Sequence, residues 1–186
     1  SATTGTVTVS NAVAITGTQS EVTAALVTTA SLVDVTAATV SVTSAANAAQ
    51  GKAIVDKTAG AVQFTAGVSD VLSNLASSGN ITASLTGVTA EDTDVAITVS
   101  DGNGTAVDAT DLSAIGSATT GTVTVSNAVG ITGSRAQVTA ALVTTASLVD
   151  VSAATVTIND GNGTALNATD LSAIGSATTG TVTVSN

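Results

Sequence analysis

Three features of the sequence predict an α/β solenoid, in which short parallel strands stack in a ladder with short helices along one side. The text SATTGTVTVSN stands at residues 1–11, returns at 117–127 and stands again at 176–186. Strand-like stretches alternate with capped helical ones, and crossovers of that length suit parallel strands joined right-handedly. Phe64 is the single aromatic residue among 186, so each layer must close around Ala, Val, Leu and Ile and stay narrow. The competing architecture is a string of all-β immunoglobulin-like sandwiches, which also favours Thr and Val strands but leaves the helical stripes unexplained and lacks a core Trp.

The repeated text comes back after 116 residues and then after 59, which sets a unit of about 59 residues and takes precedence over domain counting by length. The chain reads as one continuous array over 1–186, with units at about 1–60, 61–116 and 117–175, and with 176–186 starting another copy. Within the repeated text, Thr6, Val7, Thr8, Val9 and Ser10 alternate polar and apolar, the period of a strand with one buried face. Val7 and Val9 are expected inside, as are their counterparts in the strands at 122–126 and 181–185. Burying two valines contributes about 3–6 kcal/mol. Ordering roughly 25 residues costs about 1–2 kcal/mol for each in backbone entropy, so no copy is stable alone.

Residues 12–17, with Val13 and Ile15, read as a second strand around a corner. Thr18-Gln19-Ser20-Glu21 spells a capping box and opens a helix with Val22, Ala25, Leu26 and Thr29 at helical spacing. Ser134-Arg135-Ala136-Gln137 spells the same cap in other letters ahead of Val138, Ala141 and Leu142. The segments at 31–35 and 147–151 lead into strands at 39–43 and 155–159. Asn47 to Gln50 reads as another cap, with Ile54 and Val55 on the following helix and Gly60 closing it. Residues 61–65 read as a strand. Val68, Val71, Leu72 and Leu75 then form an i, i+3, i+4, i+7 stripe ended by Gly79, the clearest helix of the chain. Residues 80–85 read as a strand, 89–94 as an acidic turn or single helical turn, and 95–100 as the next strand.

DGNGTAVDATDLSAIG at 101–116 recurs as DGNGTALNATDLSAIG at 160–175. Asp101-Gly102-Asn103-Gly104 is a strong turn signal. Asp108 or Asn167 caps a short helix carrying Leu112 and Ile115, or Leu171 and Ile174, and Gly116 or Gly175 ends it.

With 13 acidic and 3 basic side chains the net charge is −10, which repels phosphate backbones and anionic lipid and argues against nucleic acid as a partner. Only 9% of residues are charged and 44% are hydrophobic, too apolar for a disordered acidic tail. No apolar run reaches the length of a membrane span, and no signal peptide with a basic start is visible. The absence of cysteine sets the chain apart from disulfide-stapled secreted domains, and the Thr, Ala, Val, Ser and Gly bias points to bacterial surface material.

The DGNG turns gather the oxygen ligands. Asp101, Asn103, Asp108 and Asp111, matched by Asp160, Asn162, Asn167 and Asp170, are candidate calcium ligands of the hard-oxygen type. The loop lacks the glycine and bidentate Glu positions of an EF-hand, and a tight turn followed by a helix cap accounts for the same residues. Glu91, Asp92 and Asp94 form a second acidic cluster, expected to be a solvated loop. No other cofactor is expected. The chain has no His to act as base, only Lys52, Lys57 and Arg135 as cations, and only Phe64 as a sugar platform, so it is not expected to be an enzyme. The Thr rows are too irregularly spaced for an ice-binding lattice and are expected to form the wet face of a sheet.

The phrase ATDLSAIGSATTGTVTVSNAVGITGSRAQVTAAL at 109–142 resembles the repeat regions of very large secreted surface proteins of bacteria, notably marine cyanobacteria. It is similar too to repeats in adhesins exported by type I secretion and to parts of phage fibres. The resemblance implies an extended stalk, coat or filament outside the cell. The calcium-loaded glycine-rich nonapeptide of such toxins and adhesins is absent. A structural extracellular or cell-surface repeat protein is therefore expected, partnered by itself end to end or by further copies in a longer array. The alternatives are an adhesin-type module that recognises glycan or a cell-surface partner, which would carry a varied exposed cluster within 44–100, or part of a phage fibre.

Overall fold

A computed structural model describes residues 5–28, 33–144 and 149–185. The alternating Thr/Val texts fold as strands of three or four residues, cut short by the Gly, Ser and Asn that flank them. In chain order the elements are β1 (Val7–Val9), β2 (Ala14–Gly17), α1 (Gln19–Val22) continued by a turn of π-helix (Thr23–Val27), β3 (Val33–Val35), β4 (Thr39–Val42), α2 (Ala48–Val55), β5 (Val62–Phe64) and β6 (Val68–Asp70). There follow α3 (Leu72–Leu75), β7 (Ala76–Ser77), β8 (Asn80–Ile81), α4 (Ala83–Glu91), β9 (Ile97–Val99), β10 (Ala106–Asp108), α5 (Ala109–Gly116) and β11 (Val123–Val125). The chain continues through β12 (Gly130–Gly133), α6 (Arg135–Leu142), β13 (Val149–Val151), β14 (Thr155–Ile158), α7 (Ala168–Ala177) and β15 (Val182–Val184).

The strands form open parallel sheets in the orders β1-β3, β2-β4-β5, β6-β9-β11-β13 and β10-β12-β14-β15. The hairpin of β7 and β8 is antiparallel. Parallel pairing with helical crossovers makes this a mixed α/β molecule and removes the antiparallel immunoglobulin-like alternative. Register puts like on like: Ile97, Val123 and Val149 stand in one file, and Val107, Ile131, Val156 and Val182 in another. The period of two then sends each file to one face of its sheet, and the buried side chains form one cluster that runs from Val22 to Ile174.

The helices lie against that cluster, with α5 beside α6 and α6 beside α7. Gly51 lets α2 and α4 approach: a Cβ there would stand 2.9 Å from Val88 Cγ2 and 3.3 Å from the Phe64 ring. Both predicted capping boxes are present, Thr18 with Glu21 and Ser134 with Gln137. Asn47 accepts from the Gln50 amide. Among the described residues no helix is long and apolar enough to cross a membrane.

Several elements differ from the sequence reading. The stripe at 68–75 is not one helix. Val68 is held in a ladder between Ala46 and Ile97, which leaves the single turn Leu72–Leu75 as helix and Val71 as its exposed N-cap residue. Gly79, at φ 75°, turns the hairpin that follows. Residues 80–85 are not one strand, because Thr82 caps α4 through the Leu85 amide. Gly60 does not close α2, whose C-cap is Asp56, and α7 runs on past Gly175 to Ala177. Segments read as leading into strands contain strands of their own, β3 and β13. Val7 is exposed and Val9 half-buried, whereas Val123 and Val125 are buried as expected. Thr29, Ser31, Ser147 and Asn186, each part of an expected element, lie outside the described residues.

Candidate functional site

The recurring chemistry of this molecule is at the joints between neighbouring ladder strands. Ahead of β5, β11 and β15 the chain reads Thr-x-Gly-x-Val, and each time the Thr hydroxyl bridges two strands. Thr58 Oγ1 donates to Ala38 O at 2.5 Å and accepts from Gly60 N at 3.0 Å. Thr119 Oγ1 donates to Val95 O at 2.7 Å and accepts from Gly121 N at 2.9 Å. Thr178 Oγ1 donates to Ala154 O at 2.6 Å and accepts from Gly180 N at 3.0 Å. The glycine is obligatory in space: a Cβ at Gly60, Gly121 or Gly180 would lie 2.3, 2.3 or 2.2 Å from the carbonyl oxygen of Ala38, Asp94 or Ala154, just ahead of the strand below. Removing such a hydroxyl leaves two backbone groups without their partner, a loss of about 1–3 kcal/mol. The sequence reading makes Gly60 the close of a helix and gives Thr119, Gly121, Thr178 and Gly180 no part in a joint. The missed signal was the same spacing, threonine two residues before glycine and four before valine, at 58–62, 119–123 and 178–182.

A second joint caps helices from across the ladder. Ser44 Oγ accepts from Gln19 N at 2.9 Å, Asp70 Oδ2 from Ala48 N at 3.1 Å, Asp101 Oδ2 from Leu72 N at 2.6 Å and Asp160 Oδ2 from Arg135 N at 2.6 Å. The partners lie 22 to 29 residues apart, one ladder step. Each acceptor sits at the end of a strand or just beyond it and satisfies an orphan N–H at the start of the preceding helix. A carboxylate there also complements the helix dipole.

The candidate calcium ligands are placed by these joints. Asp101 and Asp160 each hold a helix amide through Oδ2. Asn103 Oδ1 accepts from Ala128 N at 3.0 Å, Asp108 Oδ1 caps α5 through Thr110 N at 2.7 Å, and Asn167 caps α7 through Thr169 N at 2.8 Å. Asp111, buried, accepts from Gly79 N at 2.6 Å. Its counterpart Asp170 instead pairs with the Arg135 guanidinium. Asn162 is exposed. Among the described residues no three His, Cys, Asp or Glu side chains gather to hold a metal.

Of the second acidic cluster, Glu91 and Asp94 are exposed but Asp92 is buried, with Oδ2 accepting from Phe64 N at 2.6 Å. Burial pushes the Asp92 carboxyl up against the opposing pull of the Phe64 amide, and neighbouring Asp94 adds to the rise. The expectation of a fully solvated loop thus fails at Asp92. At Glu21 the direction reverses, because the Thr18 amide and hydroxyl both donate to its carboxylate and hold it below the usual range.

An open cleft of about 360 Å³ is lined by Asn47, Asp70, Ser73, Asn74, Thr82 and Ser84. Much of its polar rim is already paired within itself. Asn74 Nδ2 donates to Asp70 Oδ1, Asn47 Nδ2 to Gln50 Oε1 and Thr82 Oγ1 to Asn74 O.

The two ends of the ladders carry the same text in an unfinished setting. β11 is paired on both edges, with β9 and β13. Among the described residues β1, which carries the same letters, pairs with β3 alone, and β15 with β14 alone. Around the first DGNG turn, Asn127 Nδ2 donates to Asp101 O, Gly104 N to Ala128 O and Gly130 N to Thr105 O, and β12 lies on β10. Among the described residues no such segment covers the second turn, and 165–167, the counterpart of β10, is not a strand.

No family model matches the chain, and neither a curated protein nor a solved structure matches it.

Proposed function

We propose that this protein is a structural element whose task is length: a segment of an extracellular or cell-surface stalk, coat or filament, built as a solenoid-type stack of parallel strands and without catalytic activity. The observation that carries this reading is the Thr-x-Gly joint, made three times with the same donor, acceptor and close glycine. Such a joint asks only for another strand of the same kind on top and contains no group shaped to stop the series or to perform chemistry. Small-angle scattering of the purified chain tests this reading. A rod-like profile is expected, whereas compact separate globules, each with its own interior, overturn it.

A second reading, an adhesin-type module, is favoured by the polar cleft within 44–100, where Ser73 is exposed and Ser84 half-buried. The self-pairing of the other polar groups there makes it the weaker of the two. Part of a phage fibre would share the same length-giving architecture.

A further inference from the structure

Both ladder ends bear text that is satisfied elsewhere in the same molecule, and that internal example specifies what fits them. Residues 126–133 read SNAVGITG and cover the DGNG turn, β10 and α5 of the interior copy; residues 10–17 read SNAVAITG. The one change in those eight, Ala14 in the place of Gly130, is permitted by the packing. A Cβ at Gly130 would meet nothing closer than Thr155 Oγ1 at 3.7 Å and Thr105 O at 3.8 Å. On the receiving side, 160–175 differs from 101–116 only in Leu166 for Val107 and Asn167 for Asp108.

We propose that the end formed by 160–175 receives residues 12–26 of a second copy of this chain, in the register by which 128–142 cover 101–116. This joint rests on the length-giving reading above and supplies its partner. Carried over from the interior copy, Ala165, Leu166 and Asn167 face Ala14, Ile15 and Thr16, as Ala106, Val107 and Asp108 face Gly130, Ile131 and Thr132. Ala12 N then donates to Asn162 Oδ1 and Gly163 N to Ala12 O, as their counterparts do. β2 has the edge to spare, since among the described residues its single ladder partner is β4.

The joint is a strand exchange. Residues 176–186 of the first copy and 1–11 of the second are identical, and both cannot occupy one place. β15, already held on β14 by the Thr178 joint, takes the edge of the second copy's β3, and the second copy's β1 is released. β15 then lies between β14 and β3 as β11 lies between β9 and β13. Two bodies of net charge −10 repel at low ionic strength, so added salt favours the joint.

The chain contains no cysteine, which makes an engineered pair a clean reporter. Ala14→Cys with Ala165→Cys, both exposed positions, places two sulfurs on facing residues of neighbouring parallel strands, within disulfide reach. Oxidation of the full chain is expected to give a ladder of dimers, trimers and higher species that strengthens with salt and is lost on adding Leu166→Asp. Ala14→Cys with Ala106→Cys is the control, because Ala106 already faces Gly130, and it is expected to give no ladder. Monomer alone from the first pair, or equal ladders from both pairs, overturns the proposal. If the chain scatters as a rod yet gives no ladder, the length reading stands and this joint falls.

Discussion

Residues 101–125 and 160–184 are nearly the same words in two surroundings. In the interior copy Leu112 is fully buried and Val125 is 1% exposed; in the terminal copy Leu171 is half-buried and Val184 is 42% exposed. Residues 106–108 form a strand and 165–167 do not. For Val125 and Val184 the local sequence is identical, so the difference belongs to the neighbour. β11 has a strand on each side and β15 on one. Burial and strand formation in this molecule are therefore conferred by stacking more than by local propensity, consistent with ladders whose stability is a sum of neighbour terms.

The sharpest way to break this contrast is to truncate the same leucine twice. Leu112→Ala is expected to cost about 3 kcal/mol in urea unfolding, and Leu171→Ala under about 1 kcal/mol, because the second leaves a dent at an end instead of a cavity. Equal losses would mean that the terminal copy is as well packed as the interior one.

A smaller effect concerns Asp92, which stands one repeat of 59 residues before Val151 and is buried as that valine is. Since burial raises its folded-state pKa, the fold binds this proton more tightly than the unfolded chain does. The stability it lends is complete below the ordinary carboxylate pKa and is lost as pH rises through the raised value. Asp92→Asn keeps an acceptor for Phe64 N and should remove that loss, flattening the fall in stability across the mildly acidic range. An unchanged slope would show that the carboxylate is well solvated after all. Glu21, with its lowered pKa, works in the opposite sense: its contribution is present above the ordinary value and disappears as pH falls.

What could be read in advance follows the same division between local and neighbour-dependent structure. The capping boxes at Thr18 and Ser134, the caps at Asn47, Asp108 and Asn167, and most Thr/Val strands are written in adjacent residues and were legible. The stripe at 68–75 misled because a strand, a cap and one helical turn happen to place apolar residues at helical spacing, and the strand is imposed by Ala46 and Ile97 from a distance. The joints were illegible for a related reason. That Asp101 is a cap for Leu72, and not simply a turn residue, depends on a register that only the stacked chain defines.

The clamped DGNG turn has a chemical consequence. An Asn-Gly pair ages when the glycine nitrogen attacks the asparagine side-chain carbonyl, expels ammonia and leaves a succinimide that water opens to aspartate or isoaspartate. At Asn103 that attack is hindered, since Ala128 holds both the side-chain oxygen and the Gly104 nitrogen. Among the described residues nothing covers Asn162-Gly163 in this way, so peptide mass spectrometry of aged protein should find deamidation at 162 ahead of 103. The ratio of deamidation at the two turns would then report how well each is covered.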